Sequence, residues 1–152
     1  MHSSPRAAII VRLLFLLLFV FLLFSPTYCV TAPNQSATEQ LADLNKLASR
    51  AISANPAKAI EYAETAFNLA IASKNYEAQS IALLNIGLAQ LQLGNLTQMK
   101  NSLENSLLVA QQANFKKGQG DAHNFLGTYY WEEGLFDQAQ NTTHRLWRSV
   151  PA

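Results

Sequence analysis

Few residues in this 152-residue chain combine the types and spacing that chemistry requires. Beyond the N-terminal stretch the only histidines are His123 and His144. They form no HExxH pair and no carboxylate cluster stands at metal-ligand spacing, so neither a zinc site nor a metal-activated water is expected. Glu132 and Glu133 are neighbours in sequence, so on a helix their side chains diverge and read as solvated surface rather than an acid/base pair. No serine sits in a nucleophile elbow. Gly118-x-Gly120 lacks the third glycine and the preceding strand of a phosphate-cradling loop. Cys29 is the single cysteine, which excludes an internal disulfide and a cysteine-built metal site. Asn34, Asn95 and Asn141 stand in glycosylation-type triplets, which arise often by chance. The chain therefore reads as non-enzymatic, with no catalytic residues, metal or cofactor expected. His123 reads as a packing residue before it reads as a ligand.

The elements around these residues start with a leader. Leu13 to Phe24 is an unbroken apolar run, Arg6 and Arg12 flank it, and no acidic residue precedes Glu39. A basic stretch, an apolar stretch and then small polar residues form the pattern of a secretory signal peptide. Thr27-Tyr28-Cys29 and Val30-Thr31-Ala32 are the two candidate cleavage sites, the second followed directly by Pro33. The alternative is a membrane tether over residues 9–24, shorter than the roughly twenty residues a bilayer needs and interrupted by Arg12. Residues 1–32 are thus assigned to a signal peptide or anchor, and the protein is expected to be exported, periplasmic or secreted. The full chain has a net charge of +1 and no basic stripe, which argues against nucleic acid as a partner.

From Thr38 onward apolar residues recur at helical spacing, and no strand alternation appears. Leu41, Leu44, Leu47, Ala48 and Ala51 mark one face of a helix, and Asn55-Pro56 ends it. Ala59, Ile60, Ala63, Ala66, Phe67 and Ala70 mark the next, which Pro56 suits at its first turn. A helix starting near Glu77 is apolar nearly all round, with Ile81, Leu84, Leu88 and Leu91 on one side and Leu83, Ile86 and Leu93 on another, as a helix buried on several sides would be. Gly94-Asn95 ends it, and Met99, Leu103, Leu107, Leu108 and Ala110 carry its successor. Gly118 and Gly120 are expected to loosen the entry to the next helix, filled by Phe125, Leu126, Tyr129, Tyr130 and Trp131 and ended by Gly134.

A shift of about forty positions lays these segments on one another. Ala42, Ala82 and Ala122 align, as do Asn45 with Asn85, Ile86-Gly87 with Leu126-Gly127, Gly94 with Gly134 and Gln98 with Gln138. Such a period marks stacked units that cannot bury their apolar faces alone. The expected fold is all-α, an antiparallel helix-pair solenoid of about 2.5–3 repeats over residues 33–140. Ala59, Ile86, Gly87, Gly94, Leu126, Gly127, Tyr130, Gly134 and Ala139 are the expected packing positions: the small ones let helices approach, the large ones fill the space between units.

His123-x-x-Leu126-Gly127-x-x-Tyr130, followed by Gly134, Phe136 and Ala139, resembles the tetratricopeptide repeat. The second unit matches more loosely through Leu83, Ile86-Gly87, Gly94, Leu96, Met99 and Leu103, and the first is degenerate. The repeat length and the Ser73-Lys74-Asn75 and Ala113-Asn114 endings are similar to the exported repeat regions of bacterial membrane-bound sensors of the diguanylate cyclase or histidine kinase type. The resemblance implies a protein or peptide partner, of unidentified nature, held on a concave surface lined by the first helix of each unit. The positions it designates are Asn45, Leu84, Asn85, Leu88, Leu91, Asn124, Thr128 and Trp131. Peptide-clamping members of the family carry lysine there, which this chain lacks. For the leucines, packing in the core is the stronger reading.

After Gln140 the repeat pattern stops. In residues 141–152, Thr143 stands where an aromatic is expected, and Arg145, Trp147 and Arg148 interrupt the apolar face. Read one base out of frame with permitted codons, Asn141 to Ser149 give Y-Y-T-Q-A-L-E-I, close to an ideal second helix of the repeat. This segment is therefore expected to be a frameshifted end of a longer protein. The incomplete repeat is expected to leave Phe125, Leu126, Tyr129 and Tyr130 partly uncovered and prone to self-association. The functional expectation is an exported protein–protein interaction module. The alternatives are the truncated sensory region of a membrane-bound receptor and, less well supported, an enzyme with an unrecognised site.

Overall fold

A computed structural model of the chain describes residues 35–149. The apolar run, Cys29 and Asn34 lie outside the described residues. Within them the chain forms six helices in succession: α1 (Gln35–Ala51), α2 (Pro56–Ala72), α3 (Tyr76–Gln92), α4 (Leu96–Gln112), α5 (Lys116–Glu132) and α6 (Phe136–Ser149). Each packs on the next, and first helices also touch first helices (α1 on α3, α3 on α5). No contact joins the second helices α2, α4 and α6 to one another among the described residues. The stack therefore curves with α1, α3 and α5 on its inner side. It is the helix-pair solenoid that the sequence pattern predicts.

A twenty-residue beat underlies the forty-residue period. Helices α2 to α5 each span 17 residues and are joined by three-residue turns. Each turn places its middle residue in the left-handed region: Lys74, Gly94, Asn114 and Gly134, with φ of 54°, 74°, 52° and 72°. The same two hydrogen bonds close all four turns. After α3, for example, Asn95 N donates to Gln90 O at 2.9 Å and Gly94 N to Leu91 O at 2.9 Å. This is the Schellman arrangement, which satisfies carbonyls that a helix end leaves bare. Asn55 and Asn75 then cap the following helices, each side chain accepting from an amide three residues on at 3.0 Å.

Small residues set the helix spacing. Ala59, Ala63, Ala66 and Ala70 of α2 are buried, and Leu41, Ala66, Ala70, Ala78 and Ala82 form one core cluster. Met99, Leu103 and Leu126 form a second, with Leu84, Leu91, Leu107, Phe125, Tyr129 and Tyr130 against it. Gly87 faces Leu103: a methyl group there would stand 3.1 Å from Leu103 Cγ and 3.3 Å from the Met99 carbonyl oxygen. Two polar devices lock the joints. Ser80 and Ser106 donate reciprocally to each other's carbonyls at 3.1 and 2.8 Å, fully buried between α3 and α4. Gln79 Nε2 donates to Ala70 O and Gln119 Nε2 to Ala110 O, both at 3.2 Å.

Two local expectations need correction. Gly118 and Gly120 do not loosen an entry; both are buried inside α5. Gly118 is there because Phe115 takes the N-cap position that asparagine holds in α2 and α3. A methyl group at Gly118 would stand 2.4 Å from the Phe115 ring. Helical structure also does not stop where the repeat pattern stops: α6 runs through residues 141–149. No proline or glycine interrupts it. Ala139 is buried, whereas Asp137, Gln138, Gln140, Asn141, His144 and Arg145 are exposed. Under this helix Leu126 is buried, and Phe125, Tyr129 and Tyr130 are partly buried.

Candidate functional site

The residues designated for a concave groove separate into three groups. Asn45 and Asn85 are buried, and Asn85 Nδ2 donates to the Asn45 backbone oxygen at 3.2 Å across the α1–α3 joint. Their amides serve helix packing in the first place. Leu84 and Leu91 pack on the Met99–Leu103–Leu126 cluster, and Leu88 is half-buried. Asn124 and Trp131 are exposed, and Thr128, half-buried, returns its hydroxyl hydrogen to the Asn124 carbonyl at 3.3 Å. Trp131 is 64% exposed and meets Phe136, itself 58% exposed, edge to face at 5.0 Å. The structure thus does not bring the eight together as one open groove.

What remains open on the first helices is a hollow of about 310 Å³ between α1 and α3. Leu41, Ala42, Asn45, Glu77, Ala78 and Ile81 are among its lining residues. Asn45 Oδ1 is buried beneath the surface and has no hydrogen-bond partner among the described residues. An orphaned buried acceptor carries a cost of about 1–3 kcal/mol.

A second, larger cleft opens on the outer side. Its volume is about 480 Å³, and it lies between α4, α5 and α6. Glu104 and Leu107 come from α4, His123, Leu126 and Tyr130 from α5, and Gln138, Asn141, Thr142 and Arg145 from α6. His123 is 9% exposed, in the packing slot the sequence assigns to it. Burial depresses its pKa below the usual imidazole value, and the nearby Arg145 charge depresses it further. The cleft was not legible as a site, although one signal exists: the forty-residue shift places His123 on Leu83 and Arg145 on Asn105. No group of three or more metal-ligating side chains gathers among the described residues, and no described helix is long and apolar enough to cross a membrane.

No family model matches the chain, and no curated protein matches it. Among solved structures, the chain is similar to the TPR domain of Arabidopsis FLU, with a TM-score of 0.66 at 17% identity. The likeness covers 74% of this chain and 95% of that domain. It supports a TPR-like fold for the repeat region.

Proposed function

We propose that the protein is a non-enzymatic interaction module that holds a segment of a protein partner along the inner face formed by α1, α3 and α5. The observation that carries this reading is the hollow between α1 and α3, where Asn45 lies beside the apolar side chains of Leu41 and Ile81. An extended peptide can seat an apolar side chain in such a hollow. Exposed Asn124 and Trp131 continue the same face on α5, and tryptophan is a frequent anchor of interfaces. The TPR-like fold favours the reading, since that fold commonly presents such a surface.

Export belongs to the same proposal. It rests on the Arg-flanked apolar run and the absence of acidic residues before Glu39. Mass spectrometry of the mature N-terminus checks it, and an intact Met1 in a soluble cytoplasmic fraction would refute it. The receptor alternative has weaker support. The Ser73-Lys74-Asn75 and Ala113-Asn114 endings that suggest it are helix-terminating turns with a local cause of their own.

Site-specific photocrosslinking tests the binding surface. A photoreactive residue at Ile81 or Asn124 on the inner side should capture a discrete partner in extracts of the source organism, and one at Glu64 on the outer side should not. Capture should drop at least tenfold on Trp131→Ala, the loss expected of an aromatic anchor worth about 2 kcal/mol. Equal capture from both faces would reject the inner surface.

A further inference from the structure

The outer cleft brings together two cation-forming side chains, neither of which is paired with a described residue. Arg145 makes no ion pair with a described residue. His123 makes no hydrogen bond with one, though it is nine-tenths buried and lines the cleft. The single carboxylate in the cleft, Glu104, already faces Lys100 Nζ at 3.7 Å. From α5 the other polar group is Tyr130, from α6 come the neutral Gln138, Asn141 and Thr142, and α3 brings no charged residue to the cleft. The floor is apolar, made by Leu107 and Leu126.

The chain supplies its own control. Moved back by forty residues, the equivalent positions between α2, α3 and α4 are Phe67, Leu83, Ile86, Gln90 and Asn105. Leucine stands there for His123 and asparagine for Arg145, so the two basic groups are not something repeat packing requires. Burial, and then the Arg145 charge, disfavour the protonated form of His123 in the empty protein. An anion placed between the two side chains reverses that penalty.

We propose that the cleft between α4, α5 and α6 binds a small amphipathic carboxylate, whose charged end is held by Arg145 and His123 and whose apolar end rests on Leu107, Leu126 and Tyr130. A cleft of about 480 Å³ lies in the size range of small-molecule sites. Arginine supplies a planar pair of donors suited to a carboxylate. Binding is linked to protonation of His123. The bound anion raises its pKa, so a proton is taken up and affinity increases as pH falls through the depressed imidazole value. This site is on the other side of the solenoid from the peptide surface, and either can fail without the other.

Titration of the full chain with hexanoate tests it, followed through the His123 ring by NMR, with exposed His144 as internal reference. A saturable shift of the His123 signals and an upward move of its pKa are expected, with none from 1-hexanol and a weaker effect from acetate. Arg145→Gln should weaken hexanoate binding about tenfold or more, the loss of one charge-assisted contact. His123→Leu, the residue of the preceding unit, should abolish the gain in affinity between about pH 7.5 and pH 5.5, a slope that proton uptake by this ring supplies. Circular dichroism checks that both variants remain helical. Absence of a saturable shift, equal binding of 1-hexanol, equal binding of acetate, or unchanged affinity in Arg145→Gln would each overturn the proposal.

Discussion

The middle helix pair, α3–α4, and the last pair, α5–α6, occupy equivalent places in the repeat but are finished differently. In the middle pair Leu103 seats on Gly87, and Ser80 and Ser106 exchange hydrogen bonds in full burial. In the last pair Gly120 stands where Ser80 stands, and among the described side chains of α6 only Ala139 is buried. The middle pair must fit neighbours on both sides. Apart from Ala139, the described side chains of α6 from Asp137 to Arg145 are polar. Polar side chains of this helix line the outer cleft. This gives Asn141, Thr142 and Arg145 a place in the wall of that cleft.

The largest test of this contrast is at the core of the middle pair. Leu103 is wholly buried against Gly87, so Leu103→Ala leaves a cavity that the close helix contact cannot collapse into. A loss of about 2–5 kcal/mol is expected in chemical denaturation. Leu107, half-buried beside the outer cleft, should cost clearly less on the same truncation. Equal losses would erase the distinction between the joint and the edge.

Gly118→Ala comes next. The added methyl group would meet the Phe115 ring at 2.4 Å, and Ser80 Oγ stands at 3.1 Å on the other side. Overpacking of this kind costs about 1–3 kcal/mol. Phe115→Asn restores the asparagine and alanine pairing seen at Asn75 and Ala78, so the double variant should recover most of the loss. Additive losses in the double-mutant cycle would show that the two positions are not coupled.

What was legible follows the same division. Gly87, Gly94, Gly134 and the alanines of α2 were readable because small residues recurring at a fixed spacing mark close helix contacts and tight turns. The left-handed turns at Lys74 and Asn114 were not, since neither residue announces that geometry. The role of Gly118 was hidden because its reason lies in the ring of Phe115. Asn45 and Asn85 suit a groove by residue type, but an amide serves a ligand and a buried joint equally well, and only packing decides which. Gln79 and Gln119 carry a signal of their own, since they stand in register and each reaches back to the end of the preceding helix. The cleft depends on Arg145, placed by a helix where the pattern had already ended.

Those two glutamines give a matched pair of smaller tests. Gln79→Ala and Gln119→Ala each remove one buried side-chain bond to a carbonyl that the turn already satisfies through Asn75 N or Phe115 N. A loss of about 0.5–1.5 kcal/mol is expected for each. Similar losses would show that the two joints are built alike and that the difference between the pairs begins beyond them. A loss at Gln79 alone would mean that the α4–α5 joint is looser than its geometry indicates.

The smallest expected effect has the opposite sign. Gly120 is buried inside α5, yet beyond its own helix backbone no heavy atom of a described residue lies within 4 Å of where its β-carbon would stand. Gly120→Ala should therefore stabilise the protein by about 0.5–1 kcal/mol, because alanine restricts the unfolded chain and favours the helix without meeting a neighbour. Gly120→Ser, the residue of the middle pair, should gain less. The forty-residue shift carries Ser106 to Leu146, so the position offers no second serine to complete the exchange that Ser80 enjoys, and a buried hydroxyl needs a partner. Thermal melts of the two variants decide the matter. If serine matched or exceeded alanine, the last pair would contain a polar lock of its own, and the contrast with the middle pair would lose its clearest element.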